Sequence, residues 1–173
     1  MCSHAASSFP SPMRSAVSAT VLKCSNHLNI GTEKFRQKLS PVQFAVLRQA
    51  KTEPRGITIS EGGFDDHFVA GGEYLCAACE TPLYTSAMKF DCGCGWPGFW
   101  TNIKNAVCER PDTDGRRVEI LCSACESHLG HLFRGERFTN PEPNERHCVN
   151  SVSLCFRSAD GKVTPCTYSG LVY

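Results

Sequence analysis

The tetrapeptide Cys122-Ser123-Ala124-Cys125 repeats the spacing of Cys76-Ala77-Ala78-Cys79, and 42 residues separate the two pairs. Two Cys-x-x-Cys pairs can wrap four thiolates tetrahedrally around one zinc ion. The separation is wider than in an ordinary zinc ribbon, so the metal would join two distant hairpins. A site closed by four cysteines keeps no position open for water. We therefore expect a structural zinc ion, held by Cys76, Cys79, Cys122 and Cys125.

Two other interpretations of these pairs remain open from the sequence. The four thiols could be buried without a ligand, or one pair could be redox-active, as in thioredoxin-like proteins. A redox pair would lie where a strand meets a helix, and the sequence around both pairs has no such pattern. The double spacing therefore favours the structural metal.

Composition limits the class of protein. The 173 residues, 41% of them hydrophobic, are enough for one compact domain. A net charge of +1, from 18 basic and 17 acidic residues, predicts no nucleic-acid partner.

No apolar run approaches the roughly 20 residues that span a bilayer, and the first residues lack the apolar core of a secretory signal. We expect a cytoplasmic monomer with no membrane partner, and a mitochondrial location is the alternative because the beginning is serine-rich and acid-poor.

The chain divides into three parts. Residues 1–34 are rich in Ser and Ala and predict a disordered N-terminal tail. Residues 35–160 are expected to form the folded domain, and 161–173 a C-terminal extension. Within the domain, Ser40 and Pro41 begin a predicted helix over 39–50, because serine caps helices and proline suits the first helical position.

After residue 73, short strands broken by turn residues predict a mainly β, antiparallel body. The turn at 112–115 joins strands expected near 105–109 and 117–121. Alternation over 148–156 predicts a further strand, whose period of two would put alternate side chains on one face. That face would carry Cys148, Asn150, Val152, Leu154 and Phe156.

Cys148 is the first candidate for chemistry. A cationic neighbour, Arg146 or His147, would lower the pKa of its thiol and raise the reactive thiolate fraction. Asn150 would lie on the same face. The alternative is that Cys148 is a small buried hydrophobe, because free cysteine is among the most buried residue types.

Two further stretches carry groups that could assist a thiol. The glycine-rich segment 90–97 contains Cys92, Cys94 and Trp96, where backbone can approach closely and side chains can reorganise. His128 and His131 follow the second cysteine pair directly and could transfer protons near neutral pH. A histidine considered singly is more often a surface or packing residue.

In their joint order these motifs resemble the methionine-R-sulfoxide reductases of the B type, from Ser40 to about Phe156. The sequence around Cys148 and the Gly135-Glu136 segment are similar to those of the plant-like branch of this family. The matching runs are Cys76-x-x-Cys79, Lys89-Phe90-Asp91, Gly93-Cys94-Gly95-Trp96-Pro97, Cys122-x-x-Cys125, His128-Leu129-Gly130-His131 and Arg146-His147-Cys148-Val149-Asn150-Ser151.

The resemblance implies two antiparallel sheets in a β-tent-like arrangement, with a short N-terminal helix and the zinc clasp. It also implies a thiol cycle on free or protein-bound methionine-R-sulfoxide. Cys148 would attack the sulfoxide and become a sulfenic acid, Cys94 would resolve it as a disulfide, and thioredoxin would reduce that disulfide. The implied catalytic residues are Cys148, Cys94, His128, His131, Arg146 and Asn150, and the implied substrate-binding residues are Trp96 and Phe133.

Three positions depart from the family's pattern. Gly98 stands where a serine is usual, and Cys92 replaces a usual serine, so a competing disulfide is conceivable. Glu136 is the candidate for an acidic residue that bacterial members carry elsewhere. Five cysteines have no assigned task and are expected to be reduced, packed or in the tail: Cys2, Cys24, Cys108, Cys155 and Cys166.

Two other classes of function compete with a thiol enzyme. A zinc-clasped β module could bind a ligand without turnover, but it would not need the trio Cys94, Trp96 and Cys148. A nucleic-acid-binding zinc ribbon is disfavoured by the neutral charge and the wide spacing.

Overall fold

A computed structural model describes residues 22–23 and 32–173 as a mainly β protein with few helices. The helices are α1 (Thr32–Lys38) and α2 (Pro41–Gln49), and three 3₁₀ turns cover Ile59–Glu61, Ser86–Met88 and Ser151–Ser153. The strands are β1 (Leu22–Lys23), β2 (Glu73–Cys76), β3 (Pro82–Thr85), β4 (Lys89–Phe90), β5 (Gly98–Phe99), β6 (Val107–Pro111), β7 (Val118–Cys122), β8 (His128–Phe133), β9 (Arg146–Val149), β10 (Leu154–Arg157) and β11 (Val163–Pro165).

The strands form two sheets. The larger has the order β1-β6-β7-β8-β9-β5-β4, and the smaller has the order β11-β10-β2-β3. Neighbouring strands pair antiparallel throughout the described residues, except for the two-residue parallel pair of β1 and β6. The predicted fold class is therefore confirmed.

Helix α2 begins as the sequence predicts. The Ser40 hydroxyl accepts a hydrogen bond from the Gln43 N–H at 3.2 Å, and the Gln43 side chain accepts from the Ser40 N–H. The helix ends at Ala50 in a left-handed conformation. Its buried side chains, Phe44 and Leu47 among them, pack on the core next to β8. The sequence did not predict α1, which precedes it.

Aromatic rings fill the core where the sheets meet. Tyr84 stacks on Phe99 with ring centroids 4.1 Å apart, and Tyr74 meets Phe99 edge-on at 5.0 Å. All three side chains are fully buried. Each such burial contributes roughly 1.5–3 kcal/mol, so truncating Phe99, which belongs to β5, would loosen the strand that pairs with β9.

The predicted continuous strand over 148–156 is wrong. Strand β9 ends at Val149, the 3₁₀ turn Ser151–Ser153 follows, and β10 continues in the other sheet. The cause is a distant carboxylate: Glu53 accepts hydrogen bonds from the N–H of Ser151 at 2.6 Å and of Val152 at 2.9 Å. The chain therefore crosses between the sheets immediately after Cys148.

The two ends of the chain differ in what can be described. Most of the expected tail, 1–34, lies outside the described residues. The C-terminal residues 161–173 lie against the body, where β11 pairs with β10 and the main chains of Tyr173 and Thr52 exchange two hydrogen bonds of 2.8 Å. Within the described part of the chain, neither helix has the length and apolar character needed to cross a membrane.

Candidate active site and metal centre

The two Cys-x-x-Cys pairs converge in space. The four Sγ atoms of Cys76, Cys79, Cys122 and Cys125 lie within 4.8 Å of one another. Cys76 lies 3.7 Å from Cys125, and Cys79 lies 3.6 Å from Cys122, sulfur to sulfur. Four sulfurs around zinc, each about 2.3 Å from the metal, would be about 3.8 Å apart. The cluster can therefore hold a metal ion of that size.

Matching turns present the thiols in both pairs. The N–H of Cys76 bonds to the Thr81 carbonyl at 2.9 Å, and that of Cys122 bonds to the Ser127 carbonyl at 3.0 Å. Glu80 and Glu126 each adopt a left-handed conformation, with φ of 63° and 56°. Because Cys76 ends β2 and Cys122 ends β7, the four-cysteine cluster joins the smaller sheet to the larger.

A second group of thiols lies apart from this cluster, and we call it the thiol row. The Cys148 Sγ lies 3.6 Å from the Cys94 Sγ, and the Cys94 Sγ lies 3.0 Å from the Cys92 Sγ. Cys148 belongs to β9, where it pairs with Gly98 of β5 and His131 of β8, while the other two thiols come from the loop between β4 and β5. The row thus joins a rigid strand to a glycine-rich loop.

The negative charge of the row is favoured at its centre. Hydrogen bonds from Cys148 and Cys92 lower the pKa of the Cys94 thiol. The bond to Cys94, reinforced by burial, raises the pKa of the Cys148 thiol. The Arg146 charge opposes this rise, as expected from the sequence, but is outweighed. When the row carries one negative charge, these shifts favour that charge on Cys94, with the proton on Cys148.

A cavity of about 120 Å³ opens beside Cys148. Trp96 forms one wall, and its indole N–H donates to the Glu53 carbonyl at 3.3 Å. An aromatic wall suits a polarisable methyl-sulfur group. The lining residues are Thr52, Trp96, Arg117, Gly130, His131, Phe133, Cys148 and Asn150.

Arg146 lies behind the cavity wall. Its guanidinium makes two bonds to Glu136, at 2.5 and 2.7 Å, and lies 4.0 Å from the ring centroid of Phe133. Glu136, the candidate for an acidic partner of the histidines, contacts Arg146 instead. This pair fixes a positive charge near Cys148 without occupying the cavity.

His131 lines the cavity directly across the strand pair from Cys148. Its Nε2 lies 2.7 Å from Asp112, which also contacts Arg117 at 3.0 Å. Burial lowers the pKa of His131, and the Asp112 contact opposes that change. Burial acts to raise the pKa of Asp112, but the His131 bond and the Arg117 charge outweigh it and lower the pKa. Asp112 is therefore an acceptor, and Nε2 carries the proton.

His128 does not line the cavity beside Cys148. It lies against a neighbouring cavity of about 290 Å³, with its Nδ1 2.7 Å from Glu119 and its buried Nε2 without a hydrogen-bond partner. Its ring contacts that of His131 at 5.6 Å. The two predicted histidines therefore occupy different positions, and only His131 reaches the thiols' cavity.

Glu53 holds the site together and was missed by sequence reasoning. Its N–H donates to the Asn150 side chain at 3.0 Å, while its carbonyl accepts from Trp96. The Asn150 amide in turn donates to the Leu129 carbonyl at 3.0 Å, so both ends of this side chain bond to backbone. Burial raises the pKa of the Glu53 carboxyl to about 7.

No pattern in the sequence distinguishes Glu53 from a solvated loop carboxylate. Asp112 and Glu119, which hold the two histidines, were also missed, because one was interpreted as a turn residue and the other as a strand residue. For Glu119 a signal did exist, since a lone acidic residue among apolar strand neighbours needs a buried partner.

The remaining cysteines do not join either thiol group. Cys155 and Cys166 are buried and free, as expected. Cys108 is engaged in a disulfide, which corrects the expectation that it is reduced. Cys2 and Cys24 lie outside the described residues.

Comparison with known proteins agrees with this arrangement. The SelR domain model matches residues 39–158. Peptide methionine sulfoxide reductase B5 of Arabidopsis thaliana is 51% identical over 127 residues, which cover 73% of this chain and 87% of that protein. The chloroplastic B2 enzyme of the same plant is 52% identical over 129 residues, covering 75% and 61%, and its B8 enzyme is 47% identical over 145 residues, covering 84% and 97%. The chain therefore belongs to the SelR-domain family of enzymes, the type B peptide methionine sulfoxide reductases, as its resemblance to the plant-like branch had indicated.

Proposed function

We propose that this chain reduces methionine-R-sulfoxide, free or in proteins, to methionine through the thiols of Cys148 and Cys94. The observation that carries the proposal is the 3.6 Å separation of these two sulfurs beside a cavity walled by Trp96. At about 120 Å³ the cavity is smaller than the roughly 300–1,000 Å³ of ordinary ligand pockets. It suits the tip of a methionine sulfoxide side chain, with the rest of the substrate outside.

The first step uses the resting charge of the row. Cys148 passes its proton to Cys94 as its sulfur attacks the sulfoxide sulfur, so the attacking atom gains thiolate character. The sulfoxide oxygen is transferred to Cys148 as a sulfenic acid, and methionine leaves. The substrate gains two electrons and Cys148 loses two.

The second step removes the sulfenic acid. Cys94 attacks the oxidised sulfur, the S–O bond breaks and water leaves, which forms the Cys94–Cys148 disulfide. The two sulfurs are already neighbours, so the loop moves little. A protein dithiol, thioredoxin, then restores both thiols.

Residues that line or adjoin the cavity have the remaining roles in the proposed reaction. His131 lines the cavity, where it binds the sulfoxide oxygen and passes a proton to it while Asp112 holds the ring. The His128 ring contacts that of His131 and helps to position it. Trp96 and Phe133 hold the methyl group, and Arg146 stabilises thiolate charge. Asn150 positions the end of β9, because its amide is committed to backbone contacts.

We also propose that the four-cysteine cluster holds zinc and that the metal is structural. Its sulfur donors and tetrahedral spacing fit zinc, and four thiolates leave no open position for substrate. What zinc would supply is a link between the sheets. Metal analysis of the purified protein tests this, and less than about one tenth of an equivalent per chain would contradict it.

The domain boundaries, the oligomeric state and the cellular location of the chain are also proposals. We propose a monomeric domain over 35–160, preceded by an N-terminal tail and followed by the extension 161–173. A cytoplasmic location is favoured over a mitochondrial one, and fractionation of cells expressing the full chain tests that choice.

Removing 1–34 is expected to change turnover by less than about twofold, because no matched motif lies there. A tenfold loss in steady-state assays would assign the tail a part in the site.

The reaction itself is tested with the two diastereomers of methionine sulfoxide and dithiothreitol. Consumption of the R form alone, with one methionine formed per sulfoxide lost, is the expected result. Turnover of neither form would favour a zinc-clasped binding module, and turnover of both would contradict the assigned stereochemistry.

A further inference from the structure

Cys92 makes the shortest contact in the thiol row, although the proposed cycle does not use it. Its sulfur lies 3.0 Å from that of Cys94, closer than Cys148 does at 3.6 Å. Gly93 lies between the two loop cysteines with φ of 65°, and its N–H bonds to the Asp91 side chain at 2.9 Å. This tight bend turns both thiols to the same side of the loop.

The space that Cys92 occupies exists because residue 98 is glycine. A Cβ built on Gly98 would lie 2.6 Å from the Cys92 sulfur. Gly98 also pairs directly with Cys148 across β5 and β9. The two departures from the family's pattern, Gly98 and Cys92, are thus one packing arrangement that places a third sulfur over the reacting strand.

We propose that Cys92 is a relay thiol, which takes the disulfide from Cys148 and passes it to the protein reductant. The Cys92 thiolate attacks the Cys94 sulfur of the Cys94–Cys148 disulfide, a Cys92–Cys94 bond forms, and Cys148 leaves as a thiolate. No oxidant is consumed in this exchange, and the only reductant is the dithiol that later opens the loop disulfide. The inference rests on the proposed function, because that reaction supplies the first disulfide.

The surroundings of Cys92 favour this transfer. The hydrogen bond to Cys94, reinforced by burial, raises the pKa of the Cys92 thiol in the reduced row, and the Arg146 charge opposes that rise. Once Cys94 is in a disulfide it no longer carries the charge that receives this hydrogen bond, while Arg146 and Lys89 still lie close enough to interact with the Cys92 sulfur. The two loop cysteines are less enclosed than Cys148, so a disulfide between them is easier for a protein dithiol to reach.

Disulfide mapping after a single turnover tests the relay. Fully reduced chain is mixed with one equivalent of methionine-R-sulfoxide, quenched in acid, alkylated and digested with trypsin without reduction. Cleavage after Lys89, Lys104, Arg146 and Arg157 leaves Cys92 and Cys94 together in peptide 90–104, with Cys148 in peptide 147–157. The relay predicts peptide 90–104 lacking two hydrogens, and Cys148 alkylated.

Each other outcome has one meaning. A lasting cross-link between peptides 90–104 and 147–157 in the wild type, with methionine released, overturns the relay and leaves the proposed function intact. A failure to release methionine overturns the proposed function itself. In Cys92→Ser the cross-link should accumulate, because the exchange has no attacking thiol.

Kinetics provide an independent readout. Thioredoxin-driven turnover of Cys92→Ser should fall about tenfold relative to its dithiothreitol-driven turnover, because a small thiol reaches the half-buried Cys94–Cys148 disulfide directly. Gly98→Ala should have the same effect by displacing the Cys92 sulfur, and Cys166→Ser is the matched control for a distant buried thiol. An unchanged ratio in both Cys92→Ser and Gly98→Ala would overturn the relay.

Discussion

The four-cysteine cluster and the thiol row are built from the same side chain but from different backbone. In the cluster, each pair lies on a turn at a strand end, and the two cross-pair distances are nearly equal, at 3.7 and 3.6 Å. In the row, Cys148 lies on a strand while its partners lie on a glycine-rich loop, and the distances differ, at 3.0 and 3.6 Å. Symmetric presentation from strand ends suits a metal, whereas a partner on a glycine-rich loop suits sulfur exchange.

The two groups also share a structural task, since each lies where the sheets are joined. The cluster ties β2 to β7, and the chain after Cys148 crosses from β9 to β10. The main chain connects the two places, because the Ala77 N–H donates to the Ser153 carbonyl at 2.9 Å. Substitutions in each group should therefore show whether it contributes mainly to the stability of the fold or to turnover.

The largest expected effect is loss of the cluster by Cys122→Ser. Three thiolates and a hydroxyl hold zinc weakly, and metal binding energy is folding energy, so we expect a melting temperature lower by about 10 °C or more. Thermal unfolding with metal analysis measures this. Cys155→Ser, a buried thiol outside the cluster, should retain its metal. A variant that loses zinc but melts with the wild type would contradict a structural role.

Removal of the proposed nucleophile, Cys148, comes next. Cys148→Ser should lower methionine release in a single turnover below about one thousandth of wild type, because a hydroxyl is a far weaker nucleophile for sulfur. Its zinc content and melting temperature should remain close to those of the wild type. Residual single-turnover release above about one tenth would assign the attack to another thiol of the row.

Replacement of the proposed resolving thiol, Cys94, should have a smaller and more selective effect. Cys94→Ser should still release about one methionine per chain and continue with dithiothreitol, while thioredoxin-driven turnover drops about tenfold or more. The single turnover should itself slow if Cys94 accepts the Cys148 proton, as in the proposed first step. Comparison of both reductants on one preparation measures the difference. Full thioredoxin-driven turnover would show that Cys92 can resolve the sulfenic acid alone.

The sequence predicted the cluster better than the row, for a physical reason. Ligand spacing is a local property, so Cys122-x-x-Cys125 indicates a metal knuckle without knowledge of the fold. The strand break after Cys148 depends instead on a carboxylate from Glu53, which no alternation of nearby residues can reveal. Likewise the loop thiols meet Cys148 only because β5 pairs with β9.

The resemblance predicted residue types more reliably than positions. It brought Cys94, Trp96, His131 and Phe133 into consideration, and these lie in or beside one cavity. It did not distinguish His128 from His131, whose rings are brought together by an irregularity in the pairing of β7 and β8, since a regular strand would put residues three apart on opposite faces. A local shift of register of this kind follows from tertiary packing and leaves no trace in a motif.

The smallest expected effect on turnover concerns Glu53, whose pKa burial raises from 4.5 to about 7. Below pH 4.5 this carboxyl is protonated in both folded and unfolded chains. As the pH rises towards 7, the unfolded chain ionises first, so unfolding releases a proton and the folded state loses stability, by on the order of 3 kcal/mol across the window. Above pH 7 the loss is complete.

Glu53→Gln isolates this contribution, because glutamine keeps one acceptor for the N–H groups of Ser151 and Val152 but does not titrate. Carboxyls with lowered pKa values, such as Asp112 and Glu119, give the opposite slope in both proteins and cancel in the difference. Denaturant unfolding from pH 4.5 to 7.5 should therefore show the wild type losing stability relative to the variant. Turnover should change less than about threefold, since the bonds to Trp96 and Asn150 come from the main chain. Parallel stability curves would mean that Glu53 is ionised throughout, and the turn after Cys148 would then be held by a charged carboxylate at every pH tested.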